Sequence, residues 1–313
     1  MEYRSLGRTG LRVSRIGLGS GGPSRLGQAA GRSPDEMASL VHGARDLGIN
    51  LFDTAPGYGE AETILGRALA GEPREELVIL TKTRPKLAWG PLAGVRLRRS
   101  VERSLRRLRI ETLDVLQFHS VAPGELDGVI DRLLPVAERL RERGLVRHIG
   151  LTEAYRNDPG HVTVRRALAS ERFDVVMAGV HLLDQSAAAS VFGQLDASGV
   201  GGLAMFVVRR LLRDDDSLRR ALERLAAAGH VPAGLAAAEA PLAAILGRPV
   251  SSVPRLAYRY AASLAGVDAV LTGASRAEHL RANVDAVLAP PLPAAEIEAL
   301  RAAFGAIPGP VFA

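Results

Sequence analysis

A chain of 313 residues, 47% of them hydrophobic, is long enough for one large domain with a sizeable core, and a barrel of roughly 250 residues fits within it. The absence of cysteine excludes disulfides, thiolate catalysis and cysteine-ligated zinc, and it is compatible with a reducing compartment. The formal charge of +6 comes from arginines interleaved with Asp and Glu, and only 4% of residues are aromatic, so no nucleic-acid partner is expected.

The N-terminal stretch MEYRSLGRTG lacks the apolar core of a signal peptide, and no stretch approaches the roughly 20 uninterrupted apolar residues of a membrane span. The expectation is a cytoplasmic protein without a membrane partner. Residues 3–14 read as a small hairpin around a glycine-containing turn, and residues 16–20 as an apolar strand running into glycines. Ser33, Pro34 and Glu36 form a helix start: a serine N-cap, a proline at the first helical position and a glutamate three after the cap. That helix is expected to run to about Leu47 and stop at Gly48.

Strand-like runs then recur at 49–54, 77–82, 113–119, 146–152, 173–179, 201–208 and 267–273, with helical patterns between them. Each is short and apolar without clean alternation, as befits strands buried on both faces of a parallel sheet. In the arginine-rich segment 95–111, Val95, Val101, Leu105 and Leu108 describe one buried helix stripe. The interval 209–250 holds two alanine-rich helical pieces, and 291–304 reads as a helix packing outside the main body. With the run at 16–20 there are eight strands, which favours an α/β fold of the (β/α)8 TIM-barrel type, with an N-terminal β-hairpin and a C-terminal capping helix. No linker or low-complexity segment marks a second domain, so residues 1–313 are expected to form one.

The stretch LFDTAPGYGE (51–60) leads from a strand through Asp53 into a turn built on Pro56, Gly57 and Gly59, with Tyr58 between the two glycines. Arginine supplies all 40 basic residues except Lys82 and Lys86, and Lys82 sits at a strand end. In a barrel, active groups gather at the C-terminal edge of the strands, where Asp53, Lys82 and His119 all fall on successive strands. A phenol with its ordinary pKa of about 10 is a poor acid at neutral pH, and a neighbouring ammonium is expected to lower that value. A carboxylate fixes the lysine's direction, and an imidazole donates to the same substrate oxygen. Such parts suit protonating an alkoxide as hydride arrives at a carbonyl carbon, with a nicotinamide cofactor supplying the hydride.

The opening YRSLGRTGLRVSRIGLG, the turn FDTAPGYGEAE, the TK at 81–82, QFHS at 117–120, RHIGLTE at 147–153 and LTGASRAEHLRAN at 271–283 stand in the order of the aldo-keto reductases. The chain resembles that family from end to end. The resemblance implies a catalytic tetrad of Asp53, Tyr58, Lys82 and His119, with the tyrosine as acid or base, and a small carbonyl substrate. Ser275 and Arg276, ahead of an apolar helix pattern, offer N–H groups and a guanidinium to an anion. By resemblance this segment, with Gly273, holds the adenosine 2'-phosphate of NADPH, with Asn283 near the adenine; NADH is the alternative cofactor. Phe206 is implied to lie against the nicotinamide, with Ser20 and Gly21 near its ribose.

Three positions depart from the family's pattern. Where a serine and an asparagine commonly hold the carboxamide, this chain has Thr152 and Glu153, and Met177 replaces a common glutamine. Thr152 keeps a hydroxyl, Glu153 cannot donate as an amide would, and Met177 removes a hydrogen bond. His181 and Asp184 are three apart but have no third ligand nearby in sequence, so no metal site is expected. GLGSGG lacks the surroundings of a dinucleotide-binding fingerprint. Trp89 either lines the substrate mouth or covers the third helix, and the loops at 22–32, 84–92, 121–126 and 209–250 carry no substrate-diagnostic motif. The expectation is an NADPH-dependent reductase of an aldehyde, ketone or sugar, with a monomer favoured. A Schiff-base lyase using Lys82 and a non-catalytic nucleotide-binding subunit are the alternatives.

Overall fold

The eight strand-like runs close on one another. The computed structural model describes every residue except those at positions 89, 91, 312 and 313, so Trp89 lies outside the described residues. Strands β3 (Ile16–Gly19), β4 (Leu51–Asp53), β5 (Val78–Thr83), β6 (Leu113–Val121), β7 (Val146–Glu153), β8 (Val175–Gly179), β9 (Gly201–Met205) and β10 (Ala269–Thr272) follow one another in parallel. β10 pairs with both β9 and β3, which closes the barrel. The barrel strands are buried except at Gly19 of β3, His119 and Ser120 of β6, Arg147 and His148 of β7 and Leu271 of β10, as the unalternating apolar runs imply.

Two short strands, β1 (Tyr3–Ser5) and β2 (Arg12–Ser14), form the expected antiparallel hairpin. It plugs the N-terminal end: Leu6 and Val13 are fully buried against Leu51, Val78, Val175 and Leu203 of the barrel interior. The approach is close enough to require glycine, because a Cβ on Gly7 would lie 2.3 Å from Gly201 N. With that end filled, only the C-terminal mouth is open to chemistry.

The helix Pro34–Asp46 starts as its sequence specifies, with Ser33 Oγ accepting from Glu36 N and Glu36 accepting from Ser33 N. The helix Ala93–Leu108 buries Val101, Leu105 and Leu108 as expected, but Leu97 replaces Val95 on the buried stripe. After β9 come the helices Asp215–Ala227, Ala233–Ala236 and Pro241–Leu246. The C-terminal helix Ala294–Phe304 is fixed by Leu300 and Phe304, both 0% exposed; full burial of such side chains stabilises by about 1.5–3 kcal/mol each. One departure from regular pairing matters for the site. β6 runs past its expected end, and its register with β7 shifts between Phe118 and Val121, where Ser120 takes a left-handed φ of 56°. His119 stands in this bulge, a device that re-aims a side chain at a barrel rim.

Candidate active site

Asp53, Tyr58, Lys82 and His119 come together at the open mouth. Inner-face alternation along β5 follows Leu80 with Lys82, whose ammonium donates to Asp53 Oδ1 at 2.5 Å and to Thr54 O at 2.8 Å. Lys82 Nζ lies 5.3 Å from the centroid of the Tyr58 ring. Tyr58 OH is 3.2 Å from His119 Nε2, and the two rings meet edge to face. The ion pair is buried, with the Lys82 and Asp53 side chains 2% and 7% exposed, so its geometry is held by packing rather than left to solvent.

The expected effect of the ammonium on the phenol is present but outweighed. Burial raises the Tyr58 pKa above its ordinary value, and Lys82, which pulls it down, does not outweigh that. Desolvation is the larger effect because the phenolate would have to leave water, whereas the lysine's charge is already shared with Asp53. His119 is brought down to about 3, first by burial and then by the charges of Lys82 and Arg84. At neutral pH the site therefore presents a neutral phenol beside a neutral imidazole.

The residues assigned to a cofactor by resemblance ring the same mouth. Ser20 is buried and commits both its N–H and its hydroxyl to Asp53 O, at 2.8 and 3.0 Å, so it pins the first loop to β4. Gly21 backs onto the tyrosine: a Cβ there would lie 2.6 Å from the Tyr58 ring. Thr152 Oγ1 accepts from Ser120 N at 2.7 Å, which leaves its own O–H to donate. Phe206 holds a left-handed φ of 66°, wedged between the Tyr155 ring at 5.4 Å and the Arg209 guanidinium at 4.6 Å. Gly273 lies exposed at the end of β10 beside Ser24, and Asn283 Nδ2 donates to Thr272 Oγ1 at 2.9 Å. Ser275 and Arg276 line a cleft of about 410 Å³ together with Arg32, Glu36 and Glu278. Arg276 is the N-cap of the helix Ala277–Val287 and makes no side-chain cap, so the helix presents its first-turn N–H groups beside two guanidinium groups. Each guanidinium is paired with a carboxylate of the same cleft, Arg32 with Glu36 at 3.2 Å and Arg276 with Glu278 at 3.6 Å, so a phosphate there would meet the helix N–H groups and share the two arginines with these glutamates.

The Glu153 carboxylate is engaged within the protein on both oxygens. It accepts from His161 Nδ1 at 2.7 Å and from Gly179 N at 2.8 Å. His161 Nε2 is 2.8 Å from Ser186 Oγ, and Ser186 donates in turn to Asp184 Oδ1 at 2.5 Å. Burial alone would lower His161, but the hydrogen bond and charge of Glu153 outweigh it and hold the imidazole above its ordinary value. A serine that gives its proton to a carboxylate is not an activated nucleophile, so this Ser–His–Glu arrangement is a buried strut. Asp184 also accepts from the Tyr155 hydroxyl and, at 3.2 Å, from Val311 N, and His181 Nδ1 accepts from Leu183 N. His181 and Asp184 thus hold loop and C-terminal backbone. Met177 is packed in the apolar barrel interior, 2% exposed. Tyr155, His161 and Ser186 were not legible as partners, since no spacing rule joins the end of β7 to the loop that follows it or to a residue beyond β8.

The sequence profile described as the aldo/keto reductase family matches residues 15–304. The chain belongs to that family. It is similar to L-galactose dehydrogenase of Arabidopsis thaliana, 36% identical over 157 residues that cover 49% of this chain and 48% of the plant protein. It is also similar to the NADH-specific methylglyoxal reductase of Escherichia coli (strain K12), 30% identical over 206 residues, 59% of this chain and 61% of that one. The chain thus spans about half the length of the first relative and under two thirds of the second. Among solved structures, the holo form of aldo-keto reductase AKR11C1 from Bacillus halodurans superposes with a TM-score of 0.73 at 25% identity, covering 96% of both chains. The family interconverts carbonyls and alcohols with a nicotinamide cofactor. Among the described residues no helix is long and apolar enough to cross a membrane.

Proposed function

We propose that this single-barrel protein is an NADPH-dependent carbonyl reductase of an aldehyde, ketone or sugar, reversible as an alcohol dehydrogenase, with Tyr58 as the general acid and base. The observation that carries this reading is the half-buried phenol set 3.2 Å from a neutral His119 and fixed from behind by the Lys82–Asp53 pair. The bound nicotinamide supplies the hydride. As charge develops on the carbonyl oxygen, Tyr58 gives it a proton, and the Nε2–H tautomer of His119 donates a hydrogen bond that orients the same oxygen. Lys82 stabilises the phenolate left behind, and Asp53 holds the ammonium in place.

Phe206 and the Thr152 hydroxyl would hold the nicotinamide end, and Ser275, Arg276 and Asn283 the adenosine end. Support for NADPH over NADH comes from Arg276 and Arg32 flanking an uncapped helix start. The NADH-specific Escherichia coli relative keeps NADH as the competing cofactor. Lys82 is poorly placed to act as a Schiff-base nucleophile, because its donors are engaged by Asp53 and Thr54 O.

The test is a panel of 4-nitrobenzaldehyde, methylglyoxal, glyceraldehyde and hexoses, assayed with each reduced cofactor. At least one carbonyl is expected to be reduced, faster with NADPH than with NADH. Binding of NADPH with no oxidation by any of them would leave only a nucleotide-binding role, and borohydride trapping of Lys82 with substrate would mean a lyase.

The raised Tyr58 also sets the pH dependence. Reduction uses the protonated phenol, whose population falls only as pH passes its pKa, above the ordinary value of about 10. His119 at about 3 stays neutral far below neutrality. The kcat for reduction is therefore expected to be flat between roughly pH 5 and 9, while oxidation, which needs the phenolate, climbs with pH over the same window. A reduction profile that falls with a midpoint near neutral pH would contradict the burial argument.

A further inference from the structure

Tyr58 is also gripped by a residue that takes no part in the proposed chemistry. Gln28 lies in the short segment Arg25–Ala30 of the first loop. Its amide nitrogen donates to Tyr58 O at 3.1 Å and to Arg25 O at 3.0 Å, and its Oε1 accepts from Glu60 N at 3.0 Å. Two of these bonds hold the main chain on either side of Gly59. Gly59 is what admits the amide: its φ is +65°, and a Cβ there would lie 2.4 Å from Gln28 Oε1.

Delivering Gln28 takes an unusual backbone. Arg25, Leu26 and Gly27 have φ of 44°, 58° and 101°, a left-handed run that is unfavourable for residues bearing a Cβ. It is held because Leu26 is 0% exposed and anchored in the outer core. The same loop supplies Gly21 against the Tyr58 ring and touches Gly273 through Ser24. One loop therefore borders the phenol's ring, its main chain and the end of β10.

We propose that Gln28 is a positioning residue for Tyr58: by clasping the turn on both sides of Gly59 it sets where the phenol stands relative to Lys82 and His119. It governs the proton-transfer step and not the binding of cofactor or carbonyl. The inference rests on Tyr58 being the proton donor.

With 4-nitrobenzaldehyde and NADPH, Gln28→Ala is expected to lower kcat about tenfold. KM for both reactants and the stoichiometry of NADPH binding by fluorescence titration stay at parent values. Gln28→Glu keeps the acceptor for Glu60 N but has no N–H for the Tyr58 and Arg25 oxygens, and it lowers kcat at least as far. Gly59→Ala acts from the other side of the contact by placing a methyl group on Gln28 Oε1. Parent kcat in either Gln28 variant, or a fall in kcat matched by an equal loss of NADPH-binding sites, overturns the proposal. Tyr58→Phe measured alongside separates the two readings. If it turns over like the parent, the acid role of Tyr58 fails and the positioning role with it; if it is inactive while Gln28→Ala is unimpaired, the positioning role alone fails.

Discussion

Tyr58→Phe is expected to slow carbonyl reduction by roughly two to four orders of magnitude, the range for losing a positioned general acid. The substitution removes one oxygen and keeps the ring, so the packing against Gly21 and the edge-to-face contact with His119 persist. None of the groups around the cleft formed by Arg32, Ser275 and Arg276 touches that hydroxyl, so NADPH affinity is expected to change by less than about twofold. Loss of activity with retained binding separates an acid from a structural tyrosine. The measurement is kcat beside a fluorescence titration with NADPH on the same preparation. Turnover within about tenfold of the parent would remove Tyr58 from the role of proton donor.

Lys82→Met is expected to be the most destabilising of the site substitutions, because it leaves the Asp53 carboxylate buried without its counter-charge. Lys82 also donates to Thr54 O, so a second buried acceptor loses its partner. Breaking a buried pair from one side typically costs about 3–5 kcal/mol, whereas removing both charges is often nearly neutral. Asp53→Asn combined with Lys82→Met should therefore recover most of the stability lost in Lys82→Met alone, while activity stays low in both. Urea unfolding midpoints of the parent, the two single variants and the double variant form the test cycle. Equal midpoints for Lys82→Met and the double variant would show that the loss comes from packing and not from the stranded carboxylate.

The two expectations differ in kind because the two residues do different things. Tyr58 makes few contacts that the native state depends on, and its oxygen matters when charge moves. Lys82 is part of the barrel interior and also of the site. A lesion there slows the reaction by way of the phenol and weakens the fold by way of Asp53. The Glu153–His161 strut resembles Lys82 in this respect: it ties the end of β7 to β8 at Gly179 and, through Ser186 and Asp184, to the C-terminal segment. The His161 ring stacks on Tyr155, against which Phe206 packs, so the strut also supports the mouth of the barrel.

Much of the molecule was legible residue by residue. Short apolar runs separated by helical periods dictate strands covered on both faces, and eight of them leave a closed barrel as the economical solution, as the pairing of β10 with β3 bears out. The Ser33–Glu36 capping box and the stripe of Val101, Leu105 and Leu108 are local signals, and local signals survive into the fold. The position of Asp53, Lys82 and His119 at the ends of three successive strands followed from the same alternation, since strand order in such a barrel is chain order.

What the linear pattern could not contain was the environment of those side chains. The bulge that aims His119 depends on how β6 pairs with β7, and a one-residue slip leaves no mark in composition. An ammonium at the same edge of the barrel suggested a depressed phenol; burial, which is supplied by the rest of the barrel, acts more strongly and raises it. The partners of Glu153 were out of reach of any spacing rule, because they lie eight residues on at His161 and at the end of β8 at Gly179. Sequence by itself determined the backbone's path and the chemical types brought to its open end, because propensity and period act over a few residues. Tertiary structure alone decided which proton each group carries and which neighbour it serves, because desolvation and pairing are properties of the assembled interior.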